Sequence, residues 1–187
     1  MAVGEPFGRI YLARYADPLG YGKSPSRFSD PRRRVPDKSF GVLYLGSSLK
    51  VCFLEAMLRD RHDGVSASLP LSEEDFETRS YAEIEVVSAL KLVDLRGDRA
   101  VRMGVPTDVH RSSSHRLSRL WSTAFYGHSC APDGVLYSSR LNAETNLAIY
   151  DRAVAKLQAK RVWRLMTGPG LAVVLDELNV AIAPCDP

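Results

Sequence analysis

An α+β fold is the class this sequence predicts, on three observations. Short apolar or alternating runs that read as strands outnumber the helical segments. The helices are interspersed among them without a regular strand–helix–strand rhythm. No internal repeat, heptad array or low-complexity tract divides the 187 residues, so one domain spanning 1–187 is expected. Hydrophobic residues make up 45% and charged residues 25%, a balance too apolar for disorder. A chain of this length buries roughly two-thirds of its unfolded surface without the help of a metal or disulfide.

The elements follow in order. Arg9-Ile-Tyr-Leu-Ala-Arg-Tyr15 reads as a first strand, and Asp17 to Arg27 as a loop rich in glycine, proline and serine, able to bring backbone close to a ligand. A basic loop, Asp30-Pro-Arg-Arg-Arg-Val-Pro36, precedes a short strand, Gly41-Val-Leu-Tyr-Leu-Gly46. Ser47 or Ser48 then caps a helix from Leu49 to about Arg61, with Leu49, Cys52, Phe53, Ala56 and Met57 at helical spacing. Asp63 to Arg79 is polar and reads as a surface excursion. Tyr81 to Val87 alternates and Leu90 to Leu95 is a second apolar run; both read as strands. A helix is expected over Ser113 to Tyr126, then strands at Asp133–Ser139 and Leu147–Tyr150 around the loop Arg140–Asn146. Residues 151–187 complete the domain, with a last strand or pair near Leu171–Ile182.

Several function classes fall away. No apolar run approaches the ~20 residues of a membrane span. Met1-Ala-Val-Gly-Glu-Pro6 has neither the basic start nor the apolar stretch of a signal peptide, so a cytoplasmic protein without a membrane partner is expected. Cys52, Cys130 and Cys185 are widely spaced and make no Cys-x-x-Cys pair, and His62, His110, His115 and His128 lack metal-binding spacing, so neither a disulfide framework nor a metal site is expected. The net charge of +3 is only mildly basic, and there is no basic stripe interleaved with aromatics. A nucleic-acid-binding module built on the arginine-rich loops therefore stands as a rival of another class and not as the leading reading.

Glu55 is the first residue that asks for an explanation, because it sits inside the apolar run Val51-Cys-Phe-Leu-Glu-Ala-Met-Leu58. Either it pairs with Arg59 at i+4, a surface ion pair of small value, or it is a carboxylate kept to stabilise developing positive charge. Arg27, framed by small residues, is either an ordinary surface arginine or a clamp for phosphate. Tyr44 lies on a strand with Leu43 and Leu45 on the opposite face, the pattern of a core tyrosine. Ser139 ends a strand with no Gly-x-Ser-x-Gly elbow, which argues against a triad hydrolase. Gly20-Tyr-Gly22 is at most half of a dinucleotide fingerprint.

In combination and order, Gly8-Arg-Ile10, Ser26-Arg-Phe-Ser-Asp-Pro31, Gly41-Val-Leu-Tyr-Leu-Gly-Ser-Ser48, Val51 to Asp60, Pro132 to Arg140 and Asn146 to Tyr150 resemble the RES domain family, over about residues 8–150. The resemblance implies a fold like that of the ADP-ribosyltransferases. It places the family's arginine on Arg27, its tyrosine on Tyr44, its glutamate on Glu55, its serine on Ser139 (or Ser138, one residue away) and a second arginine near the dinucleotide on Arg9. Ser26-Arg-Phe28 replaces the commoner Gly-Arg-Trp, and the stretch before Tyr44 is longer than usual.

The resemblance further implies that NAD⁺ is the substrate, that no metal takes part, and that the protein is a toxin of a toxin–antitoxin system. Its partner would be a helix-turn-helix antitoxin encoded alongside, through which copies of the toxin can assemble. Cleavage of the nicotinamide–ribose bond by water or phosphate is the expected reaction, with transfer of ADP-ribose to a protein as the alternative. The residues suit that chemistry: Glu55 for the oxocarbenium-like ribose, Arg27 and Arg9 for the pyrophosphate, Tyr44 and Ser139 for the nicotinamide or ribose.

Overall fold

The computed structural model describes residues 1–32, 39–59, 61 and 68–184. Arg33, Arg34, His62, Cys185 and the start of the polar stretch, residues 63–67, lie outside the described residues. In chain order the strands are β1 (Pro6–Leu12), β2 (Val42–Gly46), β3 (Leu69–Ser72), β4 (Arg79–Val86), β5 (Leu92–Asp94), β6 (Gly134–Ser138), β7 (Thr145–Tyr150), β8 (Leu157–Arg164) and β9 (Val180–Ala183). The helices are α1 (Leu49–Phe53), α2 (Glu73–Glu77), α3 (Arg99–Arg102), α4 (Asp108–Arg111), α5 (Arg116–Tyr126) and α6 (Leu171–Glu177). The main sheet has the order β5-β6-β7-β2-β1-β4-β8 and is antiparallel except for β5 against β6; β3 and β9 form a separate parallel pair. Largely antiparallel pairing with helices inserted between strands is the α+β class that the sequence predicts.

Strand alternation decides which side chains meet. Leu43 and Leu45 of β2 join Leu147 and Ile149 of β7 in a core on one face. Val42, Ala148 and Tyr150 point the other way, into a core with Phe28, Phe40, Val135 and Tyr137 that Phe125 of α5 helps to cover. Tyr44 and Tyr137 therefore share the α5 side of the sheet.

The sheet is nearly split between β2 and β1. β2 pairs with β7 over Val42–Gly46, and β1 pairs with β4 over all of Pro6–Leu12, yet β1 and β2 share a single register pair, Gly8↔Gly46. Beyond it the two strands part, and the backbone of Gly22, from the glycine-rich loop, exchanges hydrogen bonds of 3.2 and 2.9 Å with Val42 instead. Gly46 is required at the joint, since a Cβ there would lie 2.6 Å from Val51 and 2.8 Å from Cys52 of α1.

Several expectations need correction. The helix after β2 begins at Leu49, with the Ser48 hydroxyl accepting from Val51 N at 3.1 Å, but it does not run to Arg61 as an α-helix. It widens into a π-helical turn over Leu54–Leu58 and ends there. The polar stretch contains β3 and α2: the Ser72 hydroxyl caps α2 by accepting from Asp75 N at 3.2 Å, acidic side chains fill its first turn, and Phe76 is its buried face. Of the last strand or pair expected near Leu171–Ile182 only the end is a strand, β9, while Leu171–Glu177 is α6, because Leu171, Val174, Leu175 and Leu178 recur at helical spacing and face one core. β8, unexpected from its charged sequence, is an edge strand held mainly by its backbone ladder to β4. The helix expected from Ser113 starts at Arg116, because the Ser112 and Ser114 hydroxyls accept from Ser114 N and Arg116 N and compete with helical bonding.

Candidate active site

Glu55 stands in the π turn at the floor of the split between β1 and β2, where an extra residue per turn re-aims a side chain relative to a regular helix. Its Oε1 accepts from Ser139 Oγ and from Asn146 Nδ2, both at 2.9 Å, and its Oε2 lies 3.4 Å from Arg59 Nη1. Ser139 is itself oriented, because Leu141 N donates to its Oγ at 3.1 Å, leaving the hydroxyl proton for Glu55. Register explains the convergence: Asn146 of β7 is opposite Tyr137 of β6, and Ser139 follows two residues after Tyr137 on the same face. Of the two serines raised by the sequence, Ser139 meets the carboxylate, while Ser138 lines a small neighbouring pocket.

Glu55 thus makes the i+4 pair with Arg59 and also stands at the centre of a wider network. Arg59 Nη2 also lies 3.2 Å from His115 Nε2. A guanidinium only donates, so Nε2 accepts and His115 is neutral at its Nε2. Burial, reinforced by Arg27, Arg59, Arg119 and Arg140, holds the imidazole down to about 4. The ordinary histidine value is near 6.5. Between those two values the unfolded chain binds a proton that the folded chain refuses, so stability declines as pH falls through that window. The expected result is a Tm that drops between about pH 6.5 and 4, with a shallower drop in His115→Gln; equal slopes in the two proteins would count against a His115 held neutral by burial and its arginine neighbours.

Arg27 is 5% exposed, and its Nη1 donates to the Ser112 carbonyl at 2.8 Å. Burial pushes its pKa down. Among the described residues no carboxylate comes within ion-pair distance of it. Its backbone is fastened from both sides. The Tyr44 hydroxyl accepts from Phe28 N at 2.8 Å and shares a 2.8 Å hydrogen bond with Ser26 Oγ, while Arg119 Nε donates to Ser26 O at 2.9 Å and Ser122 Oγ to Phe28 O at 2.7 Å. Tyr44 is thus more than a core tyrosine: its ring lines the cleft and its hydroxyl holds the two neighbours of Arg27. Tyr44→Phe is expected to leave the Phe28 N–H without its acceptor, costing about 1–3 kcal/mol of stability. Urea unfolding reads this as a lower midpoint; an unchanged midpoint would mean that the loop is held without it.

Arg9 enters from β1 on the far side of the split, its Nη1 donating to Pro18 O at 2.6 Å and its guanidinium 5.5 Å from the Tyr11 ring centroid. The structure brings Arg9, Arg27, Tyr44 and Glu55 around one compartment of about 230 Å³, with Ser139 behind Glu55. A smaller pocket adjoins it, sharing Arg27, Glu55, Arg59 and Tyr137 and adding His110 and Arg140. His110 is 1% exposed and its Nδ1 has no hydrogen-bond partner among the described residues. In the sequence His110 and His115 stand out only as candidate metal ligands, and Asn146 does not stand out; the five-residue gap between the histidines conceals that α4 and the residue capping α5 bring both near Arg27. Among the described residues no three His, Cys, Asp or Glu side chains gather as a metal-binding group, and no helix is long and apolar enough to cross a membrane.

The chain is 39% identical, over 126 residues, to "Probable toxin y4kH" of Sinorhizobium fredii (strain NBRC 101917 / NGR234), an alignment that covers 67% of this chain and 99% of that protein. In fold it is similar to a chain in the crystal structure of the M. tuberculosis MbcT–MbcA toxin–antitoxin complex, with a TM-score of 0.66 at 18% identity over 94% of this chain and 89% of that one. The family model described as RES domain matches residues 6–174, from the first residue of β1 into α6, and so takes in Arg9, Arg27, Tyr44, Glu55 and Ser139. This chain belongs to the RES domain family.

Proposed function

We propose that this protein cleaves the nicotinamide–ribose bond of NAD⁺ and acts as the toxin of a toxin–antitoxin pair. The observation that carries the reading is the Glu55 carboxylate, aimed into the split by Ser139 and Asn146 and faced by Arg27. As the bond to nicotinamide lengthens, the ribose acquires oxocarbenium character, and a fixed carboxylate stabilises that charge more than it stabilises the ground state. The donors from Ser139 and Asn146 keep Glu55 in place, so little reorganisation is needed when the charge develops. Arg27 and Arg9 supply cations from opposite walls for the pyrophosphate, and the Tyr44 ring offers an aromatic wall to the nicotinamide or ribose.

Nicotinamide leaves as a neutral molecule, and water or phosphate completes the reaction at the ribose carbon. The toxin role is supported by the similarity to a protein named as a probable toxin and by the likeness in fold to a toxin–antitoxin complex. In this reading an antitoxin of helix-turn-helix type covers the cleft in the producing cell.

The test is to incubate the purified protein with NAD⁺ and follow free nicotinamide, with and without inorganic phosphate. Release of nicotinamide supports cleavage, and its dependence on phosphate identifies the acceptor. No release under either condition would overturn the reading. Release that occurs only with an added protein, which becomes labelled, would establish transfer instead.

A further inference from the structure

The Glu55 compartment, at about 230 Å³, is smaller than the ~300–1,000 Å³ of sites that enclose a small molecule. NAD⁺ is two nucleotides joined through a pyrophosphate, so the half that does not carry the scissile bond must lie outside it. Toward His110 the way is narrow: that pocket holds about 30 Å³, room for one or two waters. On the other side the cleft passes Arg9 into a second hollow of about 570 Å³, and Arg9 lines both. We propose that this second hollow, walled by Tyr21, Tyr15, Asp17, Arg14 and Arg9, binds the adenosine 5′-phosphate half of the dinucleotide. The inference rests on the use of NAD⁺ proposed above and assigns the part of the substrate that the chemistry does not touch.

Three features of the wall match three features of that half-molecule. The first is aromatic. The Gly22–Val42 bridge fixes the backbone beside Tyr21, and the Tyr21 ring lies against Gly41, where a Cβ would come 2.1 Å from Cδ2. One side of the ring is thereby seated while 49% of the residue stays exposed, and Tyr15 is 57% exposed on the same hollow. Two half-exposed rings around one concavity offer the surface on which a purine stacks. The second feature is cationic. Arg9 and the Arg14 guanidinium, 5.2 Å from the Tyr15 ring centroid, suit a phosphate. The third is a carboxylate. Asp17 is held by Leu19 N, which donates to its Oδ1 at 2.8 Å, and it faces the hollow as an acceptor for ribose hydroxyls or the purine amine.

Calorimetric titration of the full chain with AMP tests the assignment without requiring turnover. Saturable binding is expected, weakened about tenfold or more by Tyr21→Ala and recovered in Tyr21→Phe, which keeps the stacking face. Because Tyr21 also seats the loop on Gly41, Tyr15→Ala is the second variant: its ring contact is with Arg14 on the surface, and a similar loss is expected. In both alanine variants kcat/KM for NAD⁺ should fall about tenfold relative to that for nicotinamide mononucleotide, which lacks the adenosine half. Absence of AMP binding, or AMP binding and relative kcat/KM indifferent to both tyrosines, would overturn the subsite even where NAD⁺ is cleaved. Tyrosine-dependent AMP binding without nicotinamide release would support the subsite and overturn the cleavage reading instead.

Discussion

Glu55→Gln should lower kcat for nicotinamide release by about two to three orders of magnitude. The substitution keeps the shape and leaves an amide oxygen to accept from Ser139 and Asn146, so what disappears is the charge. A neutral amide cannot answer an oxocarbenium-like ribose, and the loss should appear in kcat more than in KM, because ground-state NAD⁺ has little need of the carboxylate. The amide nitrogen would face the Arg59 guanidinium, donor against donor, but the Arg59 side chain is 35% exposed and can turn to water. Tm should therefore shift by only a few degrees. Full activity in this variant would reduce Glu55 to the ion-pair partner of Arg59.

Arg27→Lys should cost kcat/KM for NAD⁺ about a hundredfold. A lysine keeps the charge but not the planar fork that grips a pyrophosphate from two directions, and its shorter donor set cannot reach both the Ser112 carbonyl and a ligand. The effect should fall largely on KM, since Arg27 meets the part of the substrate that changes little along the reaction. Burial sharpens the expectation, because a more strongly hydrated ammonium is harder to desolvate where Arg27 sits at 5% exposure. Near-normal KM and kcat would remove Arg27 from the substrate contacts.

What could be read in the sequence was whatever local periodicity decides. The alternation of Val42, Leu43, Tyr44 and Leu45 gave Tyr44 its face, and an acid in an otherwise apolar helix marked Glu55. What could not be read was long-range register. Asn146 becomes a partner of Glu55 only because β6, β7 and β2 are neighbours, a fact of tertiary pairing that no window of residues contains. His115 meets Arg59 across 56 residues for the same reason. α6 is hidden for another reason: Leu171-Ala-Val-Val-Leu175 carries adjacent β-branched side chains, and the packing of its i, i+3, i+4 face outweighs their intrinsic preference.

The single register pair between β1 and β2 has a mechanical consequence. Ladders of five or seven pairs join β6-β7-β2 on one side and β1-β4-β8 on the other, with the short β5 added to the first by three pairs; between the two halves the only register pair is Gly8 against Gly46, with a shared apolar core behind it. A small tilt of one half on the other breaks no ladder and is resisted by the core that Phe7 and Ile84 share with Leu45 and Leu147, whereas bending either half would break several backbone hydrogen bonds at about 1 kcal/mol each. Arg9 rides on one half, and Tyr44, with the Arg27 loop it fastens, rides on the other. A molecule held by both arginines is then gripped as between the jaws of a vice, and how long it stays depends on the stiffness of the joint as well as on the contacts at the jaws.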